Sequence, residues 1–320
     1  MSTRFFNLVE DGMQEVEQLM RLQVDAHHPD LHTVVEHLVS SGGKRVRPAV
    51  TLLTGRMFGA DPQRLITLAA SIEMLHTATL VHDDLIDGSL LRRGIPTVNA
   101  QWSPAASVLA GDYIFARAAK MAAQTDSVEV MQSFAEALAT IVDGEITQMF
   151  TSRGISSRDN YYQRIYAKTA SMFVLATKSA ALISSCNEGI VETMRKFGYE
   201  IGMAFQIVDD ILDFTGEQEA VGKPVASDLR QGLVTLPAIY YQEANPDDED
   251  MKAVLNGEFA DEARMERLVK AIRGSGAIQD AFVEARGYVE RSLEFLGQMS
   301  ESVEREALFE LGNYIIDRQV

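Results

Sequence analysis

The chain has 320 residues, with 46 acidic side chains against 29 lysines and arginines and a formal net charge of −17. So acidic a composition excludes nucleic-acid binding through a broad basic face. Hydrophobic residues at 46% are enough for a substantial core, and charged residues at 23% are ordinary for a soluble protein.

From the N-terminus, Met1-Ser-Thr-Arg-Phe-Phe runs into Glu10, Asp11, Glu15 and Glu17 without the apolar core of a signal peptide. Helical periodicity then dominates. Apolar residues at i, i+3, i+4 and i+7 predict helices over 5–24, 31–40, 46–59, 62–87, 104–123, 127–150, 158–185, 189–214, 233–243, 248–256, 260–273, 276–297 and 301–317. Pro48 and Pro237 suit a first helical turn. Short breaks at 41–43, 94–96, 152–154 and 222–224 separate the segments, and no sustained alternation predicts a strand. Asp247-Asp248-Glu249-Asp250 is expected to be a solvated loop leading into a helix. The fold class is all-α. No stretch reaches the roughly 18 uncharged apolar residues of a spanning helix. The single cysteine, Cys186, permits no intrachain disulfide. The expectation is a cytoplasmic protein with at most transient membrane contact.

Two copies of one pattern carry the chemistry: Asp83-Asp84-Leu85-Ile86-Asp87 and Asp209-Asp210-Ile211-Leu212-Asp213. Residues four apart share a helix face, so Asp83 pairs with Asp87 and Asp209 with Asp213, at a cost in like-charge repulsion. Hard divalent cations would offset that cost, and Mg²⁺ is favoured where phosphate oxygens complete the coordination. A cationic set complements the carboxylates. Gly42-Gly43-Lys44-Arg45-Val46-Arg47-Pro48 is a glycine turn entering a helix, and Arg92-Arg93-Gly94 follows the first aspartate motif by five residues. Guanidinium groups and backbone N–H groups at a helix start both suit phosphate. Because the informative residues spread from about 43 to 228, residues 1–320 are expected to form a single domain.

With Gly144-Glu145-x-x-Gln148, Lys168-Thr169-Ala170, Phe205-Gln206, Gly222-Lys223, Asp228-Leu229 and Thr235-Leu236-Pro237 in the same order, the chain resembles the trans-type polyprenyl diphosphate synthases, the polyprenyl synthetase family. The resemblance covers about residues 40–240. It implies a large antiparallel helical bundle around a central cavity. The implied activity is Mg²⁺-dependent head-to-tail condensation of isopentenyl diphosphate with an allylic prenyl diphosphate. Lys44, Arg47, His76 and Arg93 would bind isopentenyl diphosphate. Asp83, Asp87 and Asp209 would hold a cluster of three Mg²⁺ ions, supported by Asp84, Asp210 and Asp213. Arg92, Lys168 and Lys223 would add positive charge at the leaving group, while Thr169 and Gln206 would stabilise the allylic cation by their dipoles. The chain departs from the family pattern at Ala226, where glycine is common, and at Leu233, where lysine is common.

Product length depends on the wall below the first aspartate. At about 1.5 Å per residue, Thr79, Ala78 and Leu75 lie at successive depths beneath Asp83. Small Ala78 and Thr79 leave the channel open, so the expected product is longer than farnesyl, from hexaprenyl to decaprenyl diphosphate. Gly111-Asp112 also resembles the long-chain subgroup. A geranylgeranyl diphosphate synthase and a noncatalytic subunit of a heteromeric synthase are the alternatives. A class I terpene cyclase fits poorly, since the second motif is a full aspartate triplet. The resemblance further implies a homodimer, with the helix near 104–123 at its interface.

Overall fold

The computed structural model describes residues 4–23, 29–40, 45–92, 94–150, 157–216 and 225–317. Their helices group into two compact units. The first comprises Met1–Glu136, Met172–Arg195 and Gln298–Glu310, and the second Ala137–Ser171, Lys196–Gly297 and Leu311–Val320.

The first unit is built on α5 (Pro62–Ile86), which is apolar on nearly every side. Such a helix can only be stable as a core element. Leu65, Leu68, Ala69, Ile72, Leu75 and Ala78 are all fully buried or nearly so. By length and composition α5 could also cross a membrane. Its start is fixed by Asp61, whose carboxylate accepts from the Arg64 amide at 2.9 Å, with Pro62 in the first turn. It packs against α2 (Glu10–Leu22), α4 (Val46–Met57) and α7 (Pro104–Ala123). Contact with α7 is close because Gly111 has no side chain. A Cβ there would lie 2.1 Å from Nε2 of His82.

The predicted helix 5–24 is two helices, α1 (Arg4–Asn7) and α2, because Val9 leaves the helical well at φ −116°, ψ 10° while it and Phe5 stay buried. A short hairpin, β1 (Leu91–Arg92) against β2 (Ile95–Pro96), also interrupts the expected all-helical run. Strands of two residues leave no alternation to read in a sequence. Gly94 turns the hairpin at φ 77°, and α6 (Val98–Gln101) leads from it into α7.

Helix α9 (Arg158–Ile165) of the second unit does not run unbroken, as predicted, into α10 (Ser171–Ile183), which belongs from Met172 on to the first. A π-helical turn, Tyr166–Ala170, lies between them. One inserted residue shifts the apolar phase only once, which a periodicity search does not see. The long helices α8 (Val128–Phe150) and α11 (Glu188–Thr215) contribute their C-terminal parts to the second unit. The remainder is α12 (Ser227–Arg230), α13 (Leu236–Ala244), α14 (Glu249–Leu255), α15 (Glu262–Gly274) and α16 (Ala277–Gly297). The last helix, α17 (Val303–Asp317), follows. Helix α13 begins three residues later than predicted, since Gly232 takes φ 82° and Thr235 is extended. Asp248 caps α14, its side chain accepting from the Met251 amide at 2.8 Å, as the acidic run led us to expect.

Candidate active site

Each unit carries one aspartate motif and its own polar cluster. In the first unit the motif occupies the end of α5, with Asp87 as its C-cap and the Asp87 amide bonded to the Asp83 carbonyl at 2.8 Å. Asp83 and Asp87 therefore share a face one turn apart, the former half-buried and the latter exposed. Asp84 points the other way and is only 7% exposed. The hairpin folds Arg92 back over it, so that Nε lies 2.9 Å from both Oδ1 and Oδ2 and Nη2 lies 2.8 Å from Oδ1. This fork holds Asp84 in place and occupies much of Arg92's donor capacity.

The cationic helix start divides in the same way. Arg45, at φ 48° just before α4, puts Nη1 2.6 Å from the buried Glu73 carboxylate and Nε 3.4 Å from Glu17. It is a fixed internal ion pair. Arg47 lies 3.2 Å from Nε2 of His76 and over the Phe173 ring at 5.2 Å. Arginine can only donate, so Nε2 of His76 is the acceptor in this contact. A small cavity in this unit is lined by Arg45, Glu73, His76, Thr77, Asp84 and Arg92. Three of the expected site residues, His76, Asp84 and Arg92, thus meet there, and Arg47 joins through His76. On the same helix Ala78 and Leu75 are fully buried and Thr79 is half-buried, its hydroxyl donating to the His76 carbonyl at 2.8 Å. His82, the neighbour of Asp83, is held against α7 by Gly111 and by the Phe115 ring at 5.6 Å.

In the second unit the motif ends α11, and again its middle carboxylate is buried. Asp210 is 3% exposed. Tyr161 donates to its Oδ2 at 2.7 Å, Gln206 Nε2 donates to Oδ1 at 2.8 Å, and Thr169 donates to Gln206 Oε1 at 2.6 Å. These bonds fix the orientation of the Gln206 amide, because its nitrogen must face Asp210 and its oxygen Thr169. Burial, reinforced by the Asp228 charge, pushes the Asp210 carboxyl up to about 7, against the lowering effect of Gln206 and Tyr161. The same burial and the Asp210 charge hold the Tyr161 phenol well above its ordinary value. Asp209 is half-buried.

Asp213 turns to the backbone. It accepts from the Ser227 amide at 3.1 Å, the Ser227 hydroxyl at 3.0 Å and the Asp228 amide at 3.2 Å, and so fixes the start of α12. The residue before that helix, Ala226, is fully buried in the left-handed conformation at φ 57°, ψ 46°. That backbone explains why glycine is common there. Lys168 lies in the exposed part of the π turn, 2.8 Å from Glu145. Gly144 makes room for the turn, since a Cβ there would lie 2.5 Å from that of Ala167.

Lys44, Arg93 and Lys223 lie outside the described residues. Two participants have no role assigned to them from the sequence. Tyr161 has the pattern of an ordinary core aromatic, and Glu145 belongs to a motif whose partner, Lys168, is identified only by folding. Among the described residues, no group of three or more His, Cys, Asp or Glu is gathered closely enough to hold an ion. The Asp83–Asp87 pair nevertheless offers hard oxygens on one accessible face. Mg²⁺ is commonly bound by one or two carboxylates with phosphates completing the shell, so this donor set fits a Mg²⁺–diphosphate.

A family model described as polyprenyl synthetase matches residues 28–272. The chain is 36% identical to heptaprenyl diphosphate synthase component 2 of Geobacillus stearothermophilus, over 97% of each chain. It superposes on a decaprenyl diphosphate synthase from Rhodobacter capsulatus with a TM-score of 0.91 and 33% identity, covering 98% of both chains. A polyprenyl synthase of Caulobacter crescentus, solved with calcium and isoprenyl diphosphate, gives a TM-score of 0.92 at 34% identity and covers 99% and 98%.

Proposed function

This chain belongs to the polyprenyl synthetase family, and we propose that it condenses isopentenyl diphosphate head-to-tail (1′-4) with an allylic prenyl diphosphate. The product is an all-trans chain from hexaprenyl to decaprenyl length. The enzyme is a prenyltransferase, and its relatives include heptaprenyl and decaprenyl synthases. One observation carries the assignment of roles. In both motifs the middle aspartate is buried and held by protein donors, while Asp83, Asp87 and Asp209 remain partly or fully accessible. Protein-anchored middle carboxylates fix the helix ends on which the accessible ones stand.

In this reading Asp83, Asp87 and Asp209 hold Mg²⁺ as a three-ion cluster. When bound, the metal neutralises the charge that grows on the departing diphosphate. Lys168 leaves its exposed pair with Glu145, worth at most about 1 kcal/mol, for a diphosphate oxygen. Arg47 and His76, with Lys44 and Arg93, bind isopentenyl diphosphate. Thr169 and Gln206 present oxygen lone pairs to the allylic cation. Their mutual hydrogen bond and the link to Asp210 orient those dipoles before the reaction, so they need not reorganise during it. The released diphosphate takes the proton lost from the condensation product.

The reading treats residues 1–320 as one synthase acting as a homodimer. The Geobacillus relative's name, component 2, favours a second version in which the active enzyme needs a different partner chain. Incubating the purified protein with Mg²⁺, labelled isopentenyl diphosphate and farnesyl diphosphate, then resolving the dephosphorylated products, decides between them. A ladder passing geranylgeraniol supports the long-chain homomeric enzyme. A stop at geranylgeraniol keeps the chemistry and overturns the length. No incorporation by a folded protein favours the two-component version.

A further inference from the structure

The π turn that carries Lys168 and Thr169 is not held by its own helix alone. A π turn is a rare, costly distortion that persists where surrounding contacts impose it. Flanking the turn are contacts to α16, about 120 residues along the chain and beyond every motif. Glu284 of α16 accepts a hydrogen bond from Tyr162 at 2.5 Å and another from Tyr240 at 2.6 Å, one on each carboxylate oxygen. Arg158 adds its charge 3.5 Å away, stacks on the Tyr240 ring at 4.3 Å, and forks onto Glu243 at 2.8 and 2.6 Å. Helix α9 is thereby tied to α13 and α16 within one turn of the point where the π turn begins. One turn further along, Tyr166, the first residue of the π turn, packs on Tyr199 at 5.7 Å. Tyr199 in turn lies beside Tyr288, the α16 residue one turn after Glu284.

We propose that Glu284 is a positioning residue for the prenyl transfer: through Tyr162 it keeps α9 in the register that forces the extra residue into Tyr166–Ala170. In that register Thr169 reaches Gln206 at 2.6 Å and Lys168 faces outward. If α9 slips, the π turn relaxes to α-helix. Thr169 then rotates away from Gln206, with no change at Arg47 or His76.

The inference rests on the function proposed above, so the test reads structure and activity separately. Glu284→Ala, Glu284→Gln and wild type are compared by hydrogen exchange and by steady-state kinetics. Glu284→Ala is expected to speed exchange in peptides covering 158–170 more than in those covering 201–208. It is also expected to lower kcat about tenfold, the scale set by small misplacements of reacting groups. KM for isopentenyl diphosphate stays unchanged, and Glu284→Gln, which keeps an acceptor oxygen, recovers part of kcat. An unchanged kcat in folded Glu284→Ala overturns the inference. So does exchange that rises evenly across the whole second unit, which would mark a merely structural role. If Glu284→Ala does not fold, Tyr162→Phe removes only one donor and must show the same local rise in exchange. Should wild type alone make no product, the homomeric reading falls while the exchange comparison still tests the clamp.

Discussion

Asp210→Asn is the substitution that most directly tests how the second motif is held. The Asp210 carboxyl is raised from its ordinary 3.8 to about 7, first by burial and then by the charge of Asp228. A carboxyl that binds its proton more tightly when folded makes the folded state most stable when protonated. Its contribution is therefore complete below about pH 4, declines as pH rises from there to about 7, and is flat above. This is the reverse of an ion-paired aspartate. At roughly 1.4 kcal/mol per pH unit, the shift corresponds to roughly 4 kcal/mol across that window. Asparagine has nearly the same shape and cannot ionise, so the variant should lose this slope. Urea midpoints measured with a chelator present, at half-unit steps from pH 4.5 to 8, read the effect. Wild type should fall by several kcal/mol relative to Asp210→Asn across the series. Parallel curves would refute the reasoning and mean that Asp210 stays charged in its pocket.

Substitutions at three further positions probe other parts of the molecule. Ala226→Gly should raise stability by about 1 kcal/mol in urea, because an L-residue at φ 57° carries a cost that glycine does not; a loss would show that the buried methyl contributes more than the strain costs. Arg92→Ala strips the buried Asp84 of its fork and should cost about 2 kcal/mol in thermal or urea unfolding, below the full value for a buried pair because Arg92 is partly exposed. Arg92→Lys should recover little, since an ammonium cannot reproduce the planar fork. Ala78→Phe places an aromatic ring roughly 7.5 Å of helix below Asp83 and should shorten the product; an unchanged product distribution would dismiss Ala78 as the gate.

The helices were legible because their apolar stripes are long and regular. The accessible members of the aspartate motifs were legible because four-residue spacing places Asp83 and Asp87 together without any tertiary information. What the sequence could not reveal depends on contacts between distant segments. Nothing distinguishes Asp84 from Asp83 until the hairpin brings Arg92 back over it. Likewise Asp210 differs from Asp209 only once Tyr161, 49 positions away, is beside it. The π turn was hidden for another reason. The contacts that flank it run to α13 and α16, while its local sequence, Tyr-Ala-Lys-Thr-Ala, suits an ordinary helix. Ala226 stood out as a departure from the family's glycine, but only the backbone angle turns that departure into a strain.

The two motifs are anchored by different chemistry, and this has a consequence for metal binding. Asp84 is held by a guanidinium, so that motif carries its own counter-charge. Asp210 is held by an amide and a phenol, both neutral, with Asp228 adding negative charge nearby. With its carboxyl pushed up to about 7, Asp210 is expected to be partly protonated near neutral pH before a cation arrives. A divalent ion on the adjacent Asp209 would favour the ionised form of Asp210 and expel that proton. Binding of Mg²⁺ with inorganic pyrophosphate should then release close to one proton per site at pH 6 and almost none at pH 8.5. The apparent affinity should strengthen with pH between those limits. Calorimetry in buffers of different ionisation enthalpy measures the release, and Asp210→Asn subtracts the protons that come from pyrophosphate itself. If wild type and variant release equal numbers at pH 6, the neutral anchors are not setting the charge of this motif, and cation binding there is independent of Asp210.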